Sequence, residues 1–124
     1  MTRLDLPWPP STNKYWRNPT VRGRGRTLIS ARGRAYRTEV AACALEQGVR
    51  RPYQGPLRLE IAAHPPDRRR RDLDNLLKAT LDALAHAGVY LDDEQITALA
   101  VRRESIERPG GRLSVTIAPE EAPA

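Results

Sequence analysis

The sequence has one cysteine, no phenylalanine and only two lysines among its 124 residues. A single cysteine, Cys43, excludes an internal disulfide and a zinc site built from several cysteines. No apolar run reaches the roughly 18 residues of a membrane span, and the N-terminus lacks the apolar core of a secretory signal. We therefore expect a soluble, cytoplasmic protein with no membrane partner. A Gly-x-x-x-x-Gly-Lys loop is also missing, so no nucleotide cofactor is expected.

Arginine is what the chain has in excess. The formal net charge is +6 and the sequence pI is about 10.2. Residues 1–71 hold sixteen Lys and Arg against five Asp and Glu, whereas residues 72–124 hold five against ten. Such a basic half favours a polyanionic partner, because the planar guanidinium suits phosphate.

The hydrophobic pattern predicts a mixed α+β fold, one domain over residues 1–124, with a single sheet packed with two helices. Alternating apolar residues indicate strands, and apolar residues at helical spacing indicate helices. Ser30 is a good N-cap, and Gly48 and Gly88 are typical helix stops. The predicted β-α-β-α-β-β order is a strand at 4–8, a helix at 31–47, a strand at 57–63, a helix at 73–87, and strands at 96–103 and 113–117 that form a hairpin.

Two segments have almost nothing to bury. Residues 17–29 alternate Gly and Arg and predict a mobile basic loop, in which Arg22, Arg24 and Arg26 are candidate DNA contacts. The end of the chain, from about 119 to 124, predicts a loose tail.

The stretch RRRRDLDN places the densest positive charge, Arg68, Arg69, Arg70 and Arg71, directly before two carboxylates, Asp72 and Asp74. A DNA phosphate with a divalent metal is a partner that attracts both, the cations directly and the carboxylates through the metal. On extended chain the period of two puts both acids on one side, so we place them at the junction between a loop and the following helix.

Further groups belong to this hypothesis. Lys78 follows Asp74 by four residues and so lies on the same helical edge. The acidic cluster containing Asp92 and Asp93 could reach the helix start only through tertiary folding or across a dimer. Three gathered carboxylates repel one another unless a cation lies among them, and Mg²⁺ takes such oxygen ligands.

Ordinary structural roles remain open for the same residues. Asp74 could be a helix cap or form a surface ion pair with Lys78, and the arginine run could simply be solvated. The two tryptophans, Trp8 and Trp16, fit packing better than base stacking.

Two blocks, LPWPPSTNKYW near the start and PDRRRRDLDNLLKATLDALAHAGVYLDDEQI at 66–96, together with the GGRLSVTI end, resemble the RusA family of Holliday junction resolvases. The resemblance implies a small homodimer that binds four-way DNA junctions, nicks two opposed strands with Mg²⁺ or Mn²⁺, and occurs in bacteria and prophages.

On this resemblance the catalytic carboxylates, which hold the metal, are Asp72, Asp74 and Asp93, the essential lysine is Lys78, and Arg71 contacts DNA. The predicted function is a metal-dependent endonuclease of DNA recombination and repair. A non-catalytic protein that only binds junctions is the alternative.

Overall fold

The computed structural model describes residues 1–17, 20–21, 24–25 and 28–120, with the backbone alone at 20–21 and 24–25. Numbered in chain order, its elements are β1 (Thr2–Leu6), α1 (Thr12–Tyr15), β2 (Trp16–Arg17), β3 (Thr20–Val21), β4 (Arg24–Gly25), β5 (Leu28–Ile29), α2 (Ala31–Glu46), β6 (Leu57–His64), α3 (Leu77–His86), β7 (Ile96–Arg103) and β8 (Arg112–Pro119). Two 3-10 turns, Leu73–Leu76 and Asp93–Gln95, precede α3 and β7. The predicted mixed α+β class, with helices packed on a main sheet, is confirmed.

The main sheet has four strands in the spatial order β1-β8-β6-β7. β8 runs antiparallel to both β1 and β6, and β7 runs parallel to β6 at one edge. β6 lies inside because Leu57, Leu59 and Ile61 are fully buried on one face, while Arg58 and Glu60 face solvent. This alternation is what a half-buried strand needs.

The predicted hairpin of the last two strands is wrong. β8 does not pair with β7 but inserts between β1 and β6, and β7 pairs with β6 after the α3 crossover. β8 buries Leu113, Val115 and Ile117 completely, so it takes an inner position, whereas β7 has mostly exposed or half-exposed residues and takes an edge. The burial of each strand decides its position in the sheet, and the turn residues at 109–111 carry no information about that burial.

The two long helices follow their sequence signals closely. The Ser30 hydroxyl caps α2 by accepting the Gly33 N–H at 3.0 Å, and Gly48 ends the helix with a positive φ of 93°. Gly88, with a φ of 78°, ends α3 in the same way. The predicted helix start at 73 is a 3-10 turn, and the α-helix itself begins at Leu77.

The helices cover one face of the sheet, and their buried side chains complete the core. A short helix that the sequence did not indicate, α1, packs on α2 and α3. Gly33 permits this approach, since a Cβ there would lie 2.5 Å from the Tyr15 carbonyl oxygen. The helical core residues are Tyr36, Val40, Ala44, Ala79, Ala83 and Leu84.

The segment predicted as a basic loop contains short paired strands. β2 pairs with β5 and β3 with β4, both antiparallel, so the backbone at 20–21, 24–25 and 28–29 is not irregular. Its mobility stays a prediction. Arg22 and Arg26 lie outside the described residues, and the side chain of Arg24 does as well.

The first two residues of the predicted tail have defined contacts. Pro119 belongs to β8, and the Glu120 N–H donates to the Pro56 carbonyl at 2.9 Å. Residues 121–124 lie outside the described part of the chain. Among the helices that the structure describes, none combines the length and the apolar character that crossing a bilayer demands.

Candidate active site

The loop after β6 is built around one carboxylate. Asp67 accepts hydrogen bonds from both terminal nitrogens of Arg71, at 2.6 and 3.2 Å, and from the Arg69 N–H at 2.9 Å. The Arg71 guanidinium and this backbone N–H lower the pKa of Asp67 to about 2. Arg103 of β7 fixes the end of the loop by donating to the Arg71 carbonyl at 2.5 Å.

The four arginines of the predicted DNA-binding run therefore differ. The Arg71 charge is balanced by Asp67, and its guanidinium lies 5.8 Å from the centre of the Trp8 ring. Arg68, Arg69 and Arg70 are exposed, and the described residues give none of the three an ion pair. Three guanidinium groups beside one another thus remain available to an anion in solution.

Asp72 and Asp74 lie where the loop becomes helix, as predicted. Asp72 has an extended backbone, with φ −86° and ψ 137°, and precedes the 3-10 turn without capping it through its side chain. Asp74 lies in the first turn. Both carboxylates are exposed. The Asp72 carboxylate is therefore available to a ligand. Asp74, for which the cap alternative was raised, is the N-cap residue of neither the 3-10 turn nor α3.

Lys78 stands in the first turn of α3, exposed to solvent. Within the described residues it takes part in no salt bridge, so the surface ion pair with Asp74 is not formed. The ammonium group is free to meet another anion.

Asp82 of α3 is a residue near the predicted site that the sequence analysis did not name. It follows Lys78 by four residues within α3 and so lies on the same edge of that helix. Arg37 of α2 donates to Asp82 through two nitrogens at 2.8 Å, and the buried Tyr15 hydroxyl donates to the same oxygen. Burial, and then the Asp82 hydrogen bond, raise the pKa of Tyr15. The spacing of four from Lys78 gives the position of Asp82 on the helix, whereas its contacts with Arg37 and Tyr15 arise from the fold.

Asp92 and Asp93 have different surroundings. The Asp92 side chain caps the short turn by accepting the Glu94 N–H at 2.9 Å, and Gln95 returns the bond by accepting the Asp92 N–H at 3.0 Å. The capping side chain is that of Asp92, and not that of Asp93. Partial burial raises the pKa of Asp93, and a hydrogen bond to Asp92 and the charges of Asp92 and Asp82 raise it further. A cation near Asp93 would relieve this repulsion.

The three predicted metal ligands are not gathered in one protomer. Among the residues described, no three His, Cys, Asp or Glu side chains lie close enough together to hold a metal ion. The donor chemistry still fits Mg²⁺, which takes carboxylate oxygens and is commonly held by one or two of them plus substrate phosphates. Asp72 and Asp74 can supply such a pair, whereas Asp93 lies in the 3-10 turn that precedes β7.

Comparison with known proteins decides the family. The family profile described as Endodeoxyribonuclease RusA matches residues 7–118. This chain belongs to the RusA family. It is 47% identical over 114 residues to the crossover junction endodeoxyribonuclease RusA of Enterobacteria phage 82, covering 92% of this chain and 91% of that protein. The RusA proteins of Escherichia coli K12 and Shigella sonnei are each 46% identical over the same shares.

In this RusA-family chain two clefts open beside Asp72. The larger, about 500 Å³, is bordered by the four arginines, Leu73 and Ile106, and the smaller, about 310 Å³, by Trp8, Lys14, Arg32 and Asn75. Asp72 borders both, whereas Asp74, Lys78 and Asp93 lie outside them. A polyanion in either cleft would bring phosphate to Asp72.

Proposed function

We propose that the chain is a crossover junction endodeoxyribonuclease, which resolves four-way (Holliday) DNA junctions by paired nicks in recombination and repair. The observation that carries this proposal is the identity of 47% over 92% of the chain to a protein of that name. Three exposed arginines just before Asp72 in the sequence, Arg68, Arg69 and Arg70, support it, because their charges attract the DNA backbone to the neighbourhood of this carboxylate.

Asp72, Asp74 and Asp93 are the carboxylates that would hold Mg²⁺, with Mn²⁺ as a substitute. The bound ion would neutralise phosphate charge and make water a better nucleophile at neutral pH. Asp93 is exposed and lies close to Asp92 and Asp82, whose negative charges a bound cation would offset. Asp92, already used as a cap, is the weaker candidate.

Lys78 acts on the substrate phosphate. Its exposed ammonium is compact and mobile, and within the described residues no carboxylate neutralises it. Placed at the scissile phosphate, it stabilises the negative charge that develops as water attacks phosphorus and the ester P–O bond breaks. The departing oxygen then takes up a proton.

Arg68, Arg69 and Arg70 hold DNA phosphates by charge and hydrogen bonding. Arg71 also borders both clefts and is proposed as a DNA contact as well, while its ion pair with Asp67 positions the loop. Arg22, Arg24 and Arg26 are proposed as further phosphate contacts from the 17–29 segment, on their charge alone.

The working unit is a homodimer. Two matched cuts on a substrate with approximate two-fold symmetry need two equal sites, which a C2 dimer provides. A second copy could also bring carboxylates together that one protomer keeps apart. Light scattering of the purified protein tests this directly, since a mass twice the 13.9 kDa of the chain is expected.

The test of the function is a synthetic four-way junction incubated with the protein and Mg²⁺ or EDTA, beside a linear duplex of the same sequence. Paired nicks in opposed strands of the junction, seen with Mg²⁺ only, are expected. Junction binding without cleavage under Mg²⁺ or Mn²⁺ would favour the non-catalytic junction-binding protein.

A further inference from the structure

Trp8 has an unusual position for a packing residue. It follows β1 between two prolines, and Tyr36 of α2 secures this segment by donating its hydroxyl hydrogen to the Pro7 carbonyl at 2.7 Å. The indole is only half-buried and borders both clefts beside Asp72 and a third on the α2 side. A large flat ring is therefore held firmly at the surface, with open space around it.

A cation lies beside this ring. The Arg71 guanidinium carbon is 5.8 Å from the centre of the indole, and Asp67 holds that guanidinium through both carboxylate oxygens. Cation–π contact of this kind favours one ring position. The third cleft, which Arg71 does not border, shows that the ring also meets solvent away from the guanidinium.

The smaller cleft, of about 310 Å³, combines three chemistries around Trp8. Trp8 and Leu76 give it an apolar wall, Lys14 and Arg32 give it positive charge, and Asp72 lies in its lining. Lys14 and Arg32 are exposed, and neither has an ion pair among the described residues. Proteins use an aromatic ring beside free cations to bind single-stranded nucleic acid, because a base stacks on the ring and a phosphate contacts the cations.

A hydrogen-bonding group completes the cleft. Asn75 accepts the Thr12 N–H with its side-chain oxygen at 3.3 Å, and its backbone carbonyl accepts the Thr12 hydroxyl at 3.0 Å. These bonds leave the Asn75 amide hydrogens as donors toward the cleft that the residue borders. A base edge is a suitable acceptor for them.

We propose that Trp8 is the stacking surface for one unstacked nucleotide of the strand to be cut, with Lys14 and Arg32 on its phosphate. The inference rests on the proposed nuclease function and adds a reason for junction preference. In a linear duplex each base is stacked on both sides, so occupying Trp8 requires unstacking, which is easiest where paired stacking is already interrupted. The exchange point of a four-way junction is such a place.

The chain has two tryptophans, and this permits a matched pair of variants. Trp16 packs edge-on against Tyr15, with ring centres 4.9 Å apart, so Trp16→Phe is the control. In the Trp16→Phe protein, Trp8 is the sole tryptophan, and base stacking quenches its fluorescence. Titration without divalent metal should show quenching by a four-way junction and much less by a linear duplex of the same sequence. The Trp8→Phe protein, with Trp16 alone, should show no such difference.

A second measurement uses affinity. Trp8→Leu should weaken junction binding on the order of tenfold and leave duplex binding unchanged, since a stacked base contributes about this factor. Trp8→Phe should restore most of the loss because a ring is again present. Should Trp8→Leu fail to fold, the fluorescence titration of Trp16→Phe decides alone.

The outcomes separate the two claims. Junction cleavage by the Trp16→Phe protein, without junction-specific quenching, overturns the stacking inference and leaves the nuclease proposal standing. Junction-specific quenching in a protein that does not nick supports the stacking surface, while the nuclease proposal falls. Equal quenching by junction and duplex overturns the stacking inference, since it would indicate contact with the DNA backbone only.

Discussion

Removing the Asp82 carboxylate should destabilise the fold far more than its place on a helix surface implies. In the Arg37–Asp82 pair the two side chains are only 23% and 30% exposed, and Tyr15, which is fully buried, donates to the same carboxylate. A hydrogen bond to a charged group is worth about 1.5–3 kcal/mol, and a buried hydroxyl left unpaired costs about 1–3 kcal/mol. The better helix propensity of Ala offsets about 0.5 kcal/mol. We expect Asp82→Ala to lower the free energy of unfolding by about 2–5.5 kcal/mol.

Urea unfolding followed by circular dichroism measures this loss. The control is Glu104→Ala, which removes an exposed pair whose Arg102 and Glu104 side chains are 65% and 37% exposed and which should contribute below about 0.5 kcal/mol. A double-mutant cycle of Tyr15→Phe and Asp82→Ala should give a coupling of about 1 kcal/mol or more. The reasoning is refuted if Asp82→Ala costs no more than Glu104→Ala, or if the cycle shows no coupling.

Three further predictions concern charges on the same surface. Lys78→Ala should reduce the rate of junction cleavage by about 10²–10³-fold with an unchanged circular dichroism spectrum, and a melted protein would show a structural role instead. Replacing Arg68, Arg69 and Arg70 with Ala should reduce the slope of log binding constant against log salt by up to about 3 units; an unchanged slope would mean that the run is only solvated. The pKa of Asp67 is lowered to about 2 by Arg71, so its stabilising effect is complete above its ordinary pKa of 3.8 and disappears as the pH falls through about 2. Asp67→Asn should therefore be less stable than the native chain in urea at pH 6, with a difference that shrinks as the pH falls towards 2, and a difference that is the same at pH 6 and pH 2 would contradict the Arg71 contact.

Helices and strands could be predicted where the residues that start or end them lie within the same segment of sequence. Ser30 and Gly48 delimit α2 to within one residue, and the strand predicted at 96–103 has those bounds. Helix caps and helix-terminating glycines act on backbone groups a few residues away, so they can be recognised in the sequence. The junction position of Asp72 follows for the same reason, because the arginine run ends and the apolar stripe begins there.

Strand partners could not be predicted in this way. The turn at 109–111 favoured a hairpin, yet β6, which is buried on one face, pairs with both β7 and β8. Gly111 shows the reason in part, since it has a φ of 76° and a Cβ there would lie 2.9 Å from the His64 carbonyl oxygen. Gly111 allows the chain to pass close to the end of β6, and it does not form a hairpin turn that would pair β8 with β7.

In the candidate site, too, some features could be predicted from the sequence and others depend on contacts between distant parts of the chain. Asp72, Asp74 and Lys78 were predicted from their places in the sequence and stay predictions, whereas Asp82 acquires its contacts only from Arg37 and Tyr15, which are distant in sequence. The engagement of Arg71 by Asp67 also depends on how the loop closes. Such contacts are properties of the folded chain, and a run of like charges does not reveal which member is already neutralised.

The most direct measurement compares junction binding and single-turnover junction cleavage, both with Mg²⁺, for the native protein and for Asp74→Asn. The account predicts that the variant binds the junction as tightly or more tightly, because a repelling carboxylate is gone, and that its cleavage is lost. Cleavage by Asp74→Asn at the native rate, or loss of binding together with cleavage, would contradict a role for this carboxylate in holding the metal.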